Sequence, residues 1–250
     1  AELGLIASVG VGEVTVRRRV RVAFFSTGDE LVPVGTPLGE GQIYDSNRYT
    51  LYGMLTRLGA EVIDLGVVKD EPASLERALR EASSRADAVI TTGGVSVGEA
   101  DYIRGLLARL GEVAFWKIAM RPGRPMAFGR IGAARFFGLP GNPVAVMVTF
   151  YHFVRDALAS MQGRRDPAGY GRFQVASAQA LRKKSGRTEY QRGIVARGAD
   201  GALTVRLTGQ QGSGVLRSMS EANCFIVLEH DRGDVAAGEP VTVIPFDGLE

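Results

Sequence analysis

Apolar and polar positions along residues 20–161 switch repeatedly between the spacing of strands and that of amphipathic helices. The predicted elements, in chain order, are a strand at 20–26, a helix at 46–58, a strand at 62–68, a helix at 74–86, a strand at 87–91, a helix at 101–110, a strand at 113–119, paired strands at 126–130 and 135–139, and a helix at 143–161. Such repeated strand–helix units predict a three-layer α/β domain, with a mostly parallel sheet and helices on both faces.

The pattern changes after residue 163, where short strands separated by turns replace the helical segments. The predicted strands of this region are 172–181, 189–197, 203–207, 223–229 and 240–245. They predict a small all-β domain, either a barrel or a sandwich. We therefore expect four parts, in chain order: the tail of a preceding domain (1–19), the α/β domain (20–163), a linker (164–171) and the C-terminal β domain (172–250).

Composition narrows the class of protein. The chain has 45% hydrophobic and 23% charged residues, as is typical of a globular protein, and its 30 basic and 27 acidic residues nearly balance. That balance argues against a nucleic-acid-binding surface. The single cysteine, Cys224, lies in an apolar run, so we expect a core residue in a reducing cytoplasm. No apolar run is long enough for a membrane helix, and no Cys/His spacing indicates a metal site.

Candidate chemistry follows four predicted strands. Ligands of parallel α/β sheets bind beyond the carboxyl ends of the strands, so loops at that edge should meet. The acidic residues of those loops are Glu30, Asp70, Glu99 and Asp101. Glycine-rich loops and helix N-termini bind phosphate through backbone N–H groups, and here Ser46 and Asn142 are predicted helix caps. Carboxylates beside a phosphate require a hard cation, so the edge is predicted to bind a phosphorylated ligand with Mg²⁺.

Basic residues are grouped in a second place. Lys117, Arg121 and Arg124 lie within eight residues of one another, with Pro122 and Pro125 restricting the backbone. They fit either a solvated strand end or an oxyanion site, because guanidinium groups bind anions in a planar fork. In the β domain, the loop around Ser213 fits simple loop flexibility and Arg192 fits a surface arginine; the sequence alone leaves both open.

The motifs together resemble the molybdopterin molybdenumtransferase family, the MoeA-type enzymes that are related to the E domain of gephyrin. The matching segments, in the family's order, are FFSTGDEL, GQIYDSN, TTGGVSVGEADY, RPGRPMAFG, GLPGNPVA, YQRG and GQQGSG. The resemblance implies a Mg²⁺-dependent transferase of molybdenum cofactor biosynthesis. Such an enzyme inserts molybdate into adenylylated molybdopterin and releases AMP. It is expected to be a cytoplasmic homodimer that contacts other proteins of cofactor biosynthesis.

The resemblance also implies roles for individual residues. The catalytic acids would be Asp101, Asp70 and Glu30, and Asp101 and Asp70 would hold the metal. The expected substrate-binding residues are Thr27, Gly28, Asp45, Ser46, Gly93, Gly94, Ser96, Gly98, Pro140, Gly141, Asn142 and Pro143. The expected molybdate-binding residues are Lys117, Arg121, Arg124, Arg192 and Ser213. The role of Glu99 is left open.

Two departures from the family pattern matter. Arg121 and Arg124 stand where many relatives have lysine, which keeps the charge but changes the geometry offered to an anion. The family also carries further domains before this region, so we expect a fragment that begins with the end of the first of them. Two alternatives stay open: a nucleotide-processing hydrolase on the same fold, and a non-catalytic pterin-binding or scaffold module. Molybdate-dependent AMP release would separate them from a transferase.

Overall fold

The computed structural model describes residues 1–94, 100–164 and 171–247, with only the helix backbone described for residues 100–102. The α-helices of the described chain are α1 (Glu2–Ser8), α2 (Ser46–Arg57), α3 (Pro72–Arg85), α4 (Ala100–Leu110), α5 (Pro143–Thr149), α6 (Arg155–Met161) and α7 (Arg217–Glu221). One π-helical turn, Phe150–Val154, joins α5 to α6, so that the predicted helix at 143–161 runs without a break.

The strands form two large sheets and one small one. They are β1 (Arg21–Thr27), β2 (Leu31–Val32), β3 (Ile43–Tyr44), β4 (Glu61–Val68), β5 (Ala88–Thr92), β6 (Gly111–Lys117), β7 (Met120–Arg121), β8 (Pro125–Ile131), β9 (Ala134–Leu139), β10 (Phe173–Ser177), β11 (Thr188–Arg197), β12 (Leu203–Leu207), β13 (Cys224–Leu228) and β14 (Pro240–Pro245). The first sheet has the order β4-β1-β5-β9-β8-β6. Its first four strands are parallel, and the β8–β9 hairpin introduces the antiparallel pairs.

Helices cover both faces of this sheet, as predicted. Phe24 and Ile90 face one way and share a core with α2, α5 and α6, while Phe25 and Val89 face the other way and pack with α3 and α4. Alternate residues of a strand point to opposite faces, so β1 and β5 have to be apolar at consecutive positions, here 22–25 and 88–90, to fill both cores. Because β1, β4, β5 and β9 are parallel, their carboxyl ends meet at one edge of the sheet.

The C-terminal sheet closes on itself. The order β12-β10-β14-β13-β11 is completed by pairing of β11 with β12, which makes a five-stranded barrel with its own core around Val205, Ile226 and Val243. The prediction had left barrel and sandwich open, and the barrel is correct. A closed barrel has no exposed edge, yet β11 also pairs with the short strand β7 from the α/β part.

The two parts are joined by more than this strand pair. Phe225 and Ile244 of the barrel belong to the same apolar cluster as α5 and α6. The ring of His152 in the π-helical turn lies 4.0 Å from that of Tyr190 on β11, centroid to centroid. The barrel is therefore packed directly on the long helix that follows β9.

Several details differ from the prediction. Five short elements were not predicted, because each is too short to show a period: the helices α1 and α7 and the strands β2, β3 and β7. No residue of α1 is buried. The cap of α2 is Asp45 and not Ser46, which is the first helical residue. Apart from Arg164 and Gly171, the predicted linker lies outside the described residues. Within the described ranges, no helix has the length and apolar character needed to cross a membrane.

Candidate functional site

A cavity of about 690 Å³ lies at the carboxyl edge of the parallel strands. It brings together loops that are far apart in the sequence, from the ends of β1, β4, β5 and β9, with β3 and the start of α2 beside them. The predicted site residues that line it are Thr27, Gly28, Glu30, Asp45, Ser46, Asp70, Gly93, Gly94, Gly141, Asn142 and Pro143. Most of the predicted substrate-binding set thus shares one cavity.

The loops after β1 and β5 approach so closely that only glycine fits. Gly93 has a φ of +85°, and a Cβ at this position would collide with the backbone carbonyl oxygen of Thr27. The Thr27 hydroxyl in turn donates a hydrogen bond to Oδ1 of Asp70, which follows β4. This contact connects the loops of three strands and places a carboxylate beside bare backbone.

Glu30 lies over the same loop. An added Cβ at Gly28 would come within 2.7 Å of Glu30 Oε2, so this glycine leaves the room that the carboxylate occupies. Glu30 and Asp70 both line the cavity, which gives it two acids from different loops. Together with the backbone of Gly93 and Gly94, they form a polar part of the cavity wall.

The start of α2 supplies the opposite wall. Asp45 Oδ1 accepts a hydrogen bond from the backbone N–H of Arg48 at 3.1 Å and so caps the helix. Asp45 is 3% exposed, and its second oxygen, Oδ2, has no hydrogen-bond partner among the described residues. A buried carboxylate oxygen without a donor is costly, about 1–3 kcal/mol or more for a charged group. Its position in the wall of the cavity suits a ligand that brings a cation or an N–H group.

Asn47 is a site residue that the sequence reasoning missed. Its Nδ2 donates to the backbone carbonyl of Gly141 at 2.7 Å, and its Oδ1 is buried without a partner in the described chain. The hydrogen bond ties α2 to the loop between β9 and α5 across 94 positions of sequence. The signal was present, because Asn47 directly follows Asp45 and Ser46 in the same polar cluster.

Part of the predicted site cannot be placed. Ser96, Gly98 and Glu99 lie outside the described residues, and the side chain of Asp101, at the start of α4, is not described. Pro140 is buried behind the cavity wall and does not line it. Within the described ranges there is no group of three or more His, Cys, Asp or Glu side chains arranged to hold a metal ion.

The predicted anion-binding residues are divided between two places. Lys117 and Arg124 line a second cavity of about 480 Å³, at the end of β6 and the start of β8. Arg121, on β7, is half-exposed, and its Nη1 lies 3.8 Å from Oε1 of the buried Glu189 on β11. The Arg121–Pro122 peptide bond is cis.

Arg192 is inside the protein, with 1% of its surface exposed. Its Nε donates to Ser218 Oγ at 3.0 Å and its Nη2 to the carbonyl of Gly212 at 3.1 Å. Burial, and after it the charge of Arg121, lowers the pKa of Arg192 to about 10. Arg192 therefore supports the loop around Ser213 from beneath, and its side-chain hydrogen bonds go to protein oxygens.

The loop around Ser213 connects the barrel to the site of the α/β part. Gln211 Oε1 accepts a hydrogen bond from the backbone N–H of Arg192 at 2.7 Å, and Gln211 Nε2 donates one to the Arg192 carbonyl at 3.1 Å. These two bonds fix the loop on β11. The Ser213 carbonyl then accepts from the backbone N–H of Val144 in α5, at 3.0 Å. Gly214 and Leu216 complete the lining of the large cavity. The β domain is consequently part of the site.

Comparison with known proteins agrees with both parts of this architecture. Residues 23–160 match the family described as "Probable molybdopterin binding domain", and residues 174–246 match the "MoeA C-terminal region (domain IV)". The chain is 48% identical over 247 residues to the molybdopterin molybdenumtransferase of Haemophilus influenzae and 38% identical over 249 residues to that of a Nostoc species. Those matches cover 99% and 98% of this chain.

A solved structure is similar across both domains. The molybdopterin biosynthesis MoeA protein of Pyrococcus horikoshii superposes with a TM-score of 0.79 and 32% identity, over 97% of this chain and 58% of that one. The two curated relatives are covered over 61% and 57% of their own length. The chain therefore spans rather more than half the length of the proteins it matches.

Proposed function

Because the chain belongs to the MoeA-type family of molybdopterin-binding proteins, we propose that it forms the pterin-binding part of a molybdopterin molybdenumtransferase. In this proposal the protein binds adenylylated molybdopterin, inserts molybdate and releases AMP. The observation that carries it is the cavity of about 690 Å³, in which acids and glycine loops from four strands meet. A phosphorylated ligand needs that combination of close backbone and offset charge.

In this proposal each group of described residues has a task that follows from its chemistry. The backbone at Gly28, Gly93 and Gly94 allows a phosphate to approach without a side chain in between. Pro143 fixes the start of α5, while Asn47 holds the preceding loop through Gly141. Asp70 and Glu30 face the same space and would orient the reacting phosphate, and we assign the same task to Asp101.

The acids of the cavity have the chemistry of Mg²⁺ ligands, although the described ones form no group of three that would hold the ion by itself. Asp45, Asp70 and Glu30 offer carboxylate oxygens to one cavity, and Asp45 Oδ2 is buried with no partner in the described chain. Hard oxygen ligands of this kind are those that Mg²⁺ prefers. Asp70 and Asp101 would hold the ion, which would neutralise charge on the phosphate oxygens.

The cations would serve the molybdate side. Arg121 and Arg124 come from the α/β part, and Arg192 and Ser213 come from the barrel, so the proposed molybdate site draws on both domains. Arg192 acts in this proposal by its charge and by supporting the Ser213 loop, since it is buried and its Nε, Nη1 and Nη2 each bond to a protein oxygen. We further propose that the intact protein is a homodimer, which sedimentation analysis would test, and that it is cytoplasmic.

The experiment is a single-turnover assay with adenylylated molybdopterin, followed by AMP release with and without molybdate. We expect AMP release that depends on molybdate and Mg²⁺. Release of AMP without any molybdate dependence would instead indicate a nucleotide-processing hydrolase. Tight pterin binding with no turnover under any condition would indicate a binding module.

A further inference from the structure

The second cavity, at the junction of the two domains, has a basic lining that extends beyond Lys117 and Arg124, which the motifs predicted. Lys117 and Arg124 come from the α/β part, and Lys184 and Arg187 come from the segment that leads into β11. None of the described residues that line this cavity is acidic. Four cations around about 480 Å³ of space make the potential there positive, which favours binding of an anion.

One buried acid lies directly behind this lining. Glu189 is 3% exposed, and its Oε1 accepts a hydrogen bond from Arg187 Nε at 3.0 Å. Its Oε2 accepts from Gln191 Nε2 at 3.3 Å, and the same Nε2 donates to the Arg182 carbonyl at 3.0 Å. Both oxygens of the carboxylate are therefore held, and the carboxylate in turn holds Arg187.

This contact selects which nitrogens of Arg187 are left for a ligand. Its Nε is used by Glu189, whereas no described residue supplies an acceptor for its Nη1 or Nη2. A guanidinium anchored at Nε presents its two Nη groups side by side, which is the arrangement that binds two oxygens of a tetrahedral anion. Arg187 also lines the cavity that Lys117, Arg124 and Lys184 share.

The strand register aligns the two domains at this point. Parallel pairing of β7 with β11 places Glu189 opposite Arg121, so the acid lies between a guanidinium from each domain. It offsets part of their repulsion without entering the cavity lining. A shift of the barrel relative to the sheet would separate these groups, so the cavity depends on the junction.

We propose that this junction cavity binds a tetrahedral oxyanion, with Arg187 as a ligand and Glu189 as the residue that positions Arg187. The proposal rests on the proposed function, in which molybdate is a substrate, and adds residues of the barrel to its binding. The oxyanion could be free molybdate or the phosphate of a pterin substrate. Both are tetrahedral oxyanions, and the test separates them.

Calorimetric titration of the full chain with sodium molybdate, and separately with inorganic phosphate, measures binding directly. We expect Arg187→Gln to weaken binding at least about tenfold, because it removes a charged fork. The control is Arg182→Gln, whose side chain is 92% exposed and bonded to Asp234 away from the cavity. Preference for molybdate would identify the free oxyanion, and preference for phosphate would identify the pterin phosphate. Equal affinities of Arg187→Gln and the unaltered chain would overturn the site.

A double-mutant cycle tests the positioning role of Glu189. If Glu189 acts through Arg187, Glu189→Gln weakens oxyanion binding alone but adds nothing to Arg187→Gln. A tighter complex in Glu189→Gln would show that the carboxylate only opposes the anion, and additive losses would show an independent structural role. Pterin binding by Arg187→Gln should be retained if the site takes free molybdate, and weakened if it takes the pterin phosphate. Absence of pterin binding by the unaltered chain would instead contradict the proposed function. The oxyanion titrations would still show whether the junction cavity binds an oxyanion.

Discussion

Asn47 Nδ2 donates a hydrogen bond of 2.7 Å to the backbone carbonyl of Gly141, and so connects the first turn of α2 to the loop that opens α5. Asn47 is 8% exposed, so little water can replace the contact. The hydrogen bond joins two segments that line the large cavity from opposite sides. The shape of this cavity is consequently set by a contact between loops as well as by the sheet.

We expect Asn47→Asp to weaken both the fold and the site. The change keeps the size of the side chain but replaces the donor with a carboxylate oxygen that faces a carbonyl. An unsatisfied buried group of this kind costs about 1–3 kcal/mol, which urea denaturation would measure. Pterin binding, followed by calorimetry, should fall as well. Tyr52→Phe, on an exposed position of the same helix, is the control and should change neither.

We expect Gly93→Ala to be severely destabilising, while the same substitution elsewhere is helpful. The added Cβ would meet the Thr27 carbonyl, and the backbone is in a left-handed conformation that alanine disfavours. Gly53, inside α2, has no heavy atom within 4 Å of an added Cβ. Gly53→Ala should therefore stabilise the protein by about 0.5–1 kcal/mol. Thermal denaturation of both variants tests the pair, and equal melting temperatures would contradict the assigned close approach.

Removal of the acids tests the proposed chemistry. We expect Asp70→Asn and Asp101→Asn each to reduce AMP release at least about 100-fold, which corresponds to about 2.7 kcal/mol of transition-state stabilisation. The reason is loss of charge at a metal–phosphate site, with little change in side-chain volume. Asp64→Asn is a suitable control, because Asp64 bonds to Arg48 outside the cavity. Near-normal turnover of both site variants with Mg²⁺ would show that the acids have another role.

The elements were predictable from sequence to the extent that each has a clear period. β12 and β14 begin and end at the predicted residues, and β1 is shifted by one, because apolar runs between turn residues fix their bounds. β7 was missed, since two residues carry no period and its partner is some 70 positions away. Pairing at that distance depends on the finished fold.

The same limit applies to the site. Acids and glycines after strands could be assigned to one edge, because parallel strands end together. Burial of Arg192 could not be inferred, since a charged residue in a polar motif gives no sign that its partners are Ser218 and backbone carbonyls. Glu189 was equally hidden, because its contacts with Arg121 and Arg187 come from register and packing. Cys224, predicted to be core, is indeed buried in the barrel.

We expect stability to fall as the pH drops from about 6.5 to about 4, through His152. Burial, and after it the charge of Arg172, lowers the pKa of His152 to about 4, against 6.5 in an unfolded chain. Between these values the unfolded chain binds the proton and the folded protein does not, so acid favours unfolding. The loss is at most about 1.4 kcal/mol per pH unit.

Urea denaturation at a series of pH values measures that slope. His152→Phe should flatten it above about pH 5, because it keeps an aromatic ring against Tyr190 without a titrating group. The carboxylates with a lowered pKa, such as Asp87 and Glu76, begin to lose their stabilising contribution below about pH 5, so the slope is compared between about pH 5 and 6.5. His230→Phe, at a half-exposed position, serves as the control. An unchanged slope in His152→Phe would assign the pH dependence to another group.

Asp45→Asn separates the fold from ligand binding. Asparagine caps helices as well as aspartate does, so Oδ1 can still accept from the Arg48 N–H and stability should change by less than about 1 kcal/mol. The second oxygen, which has no partner in the described chain, becomes an NH₂ group. If Oδ2 meets a cation or an N–H group of the ligand, that donor now faces another donor. We expect pterin affinity to fall about tenfold or more, measured by calorimetry beside urea denaturation of the same sample. Unchanged affinity would show that this oxygen is not part of the binding surface.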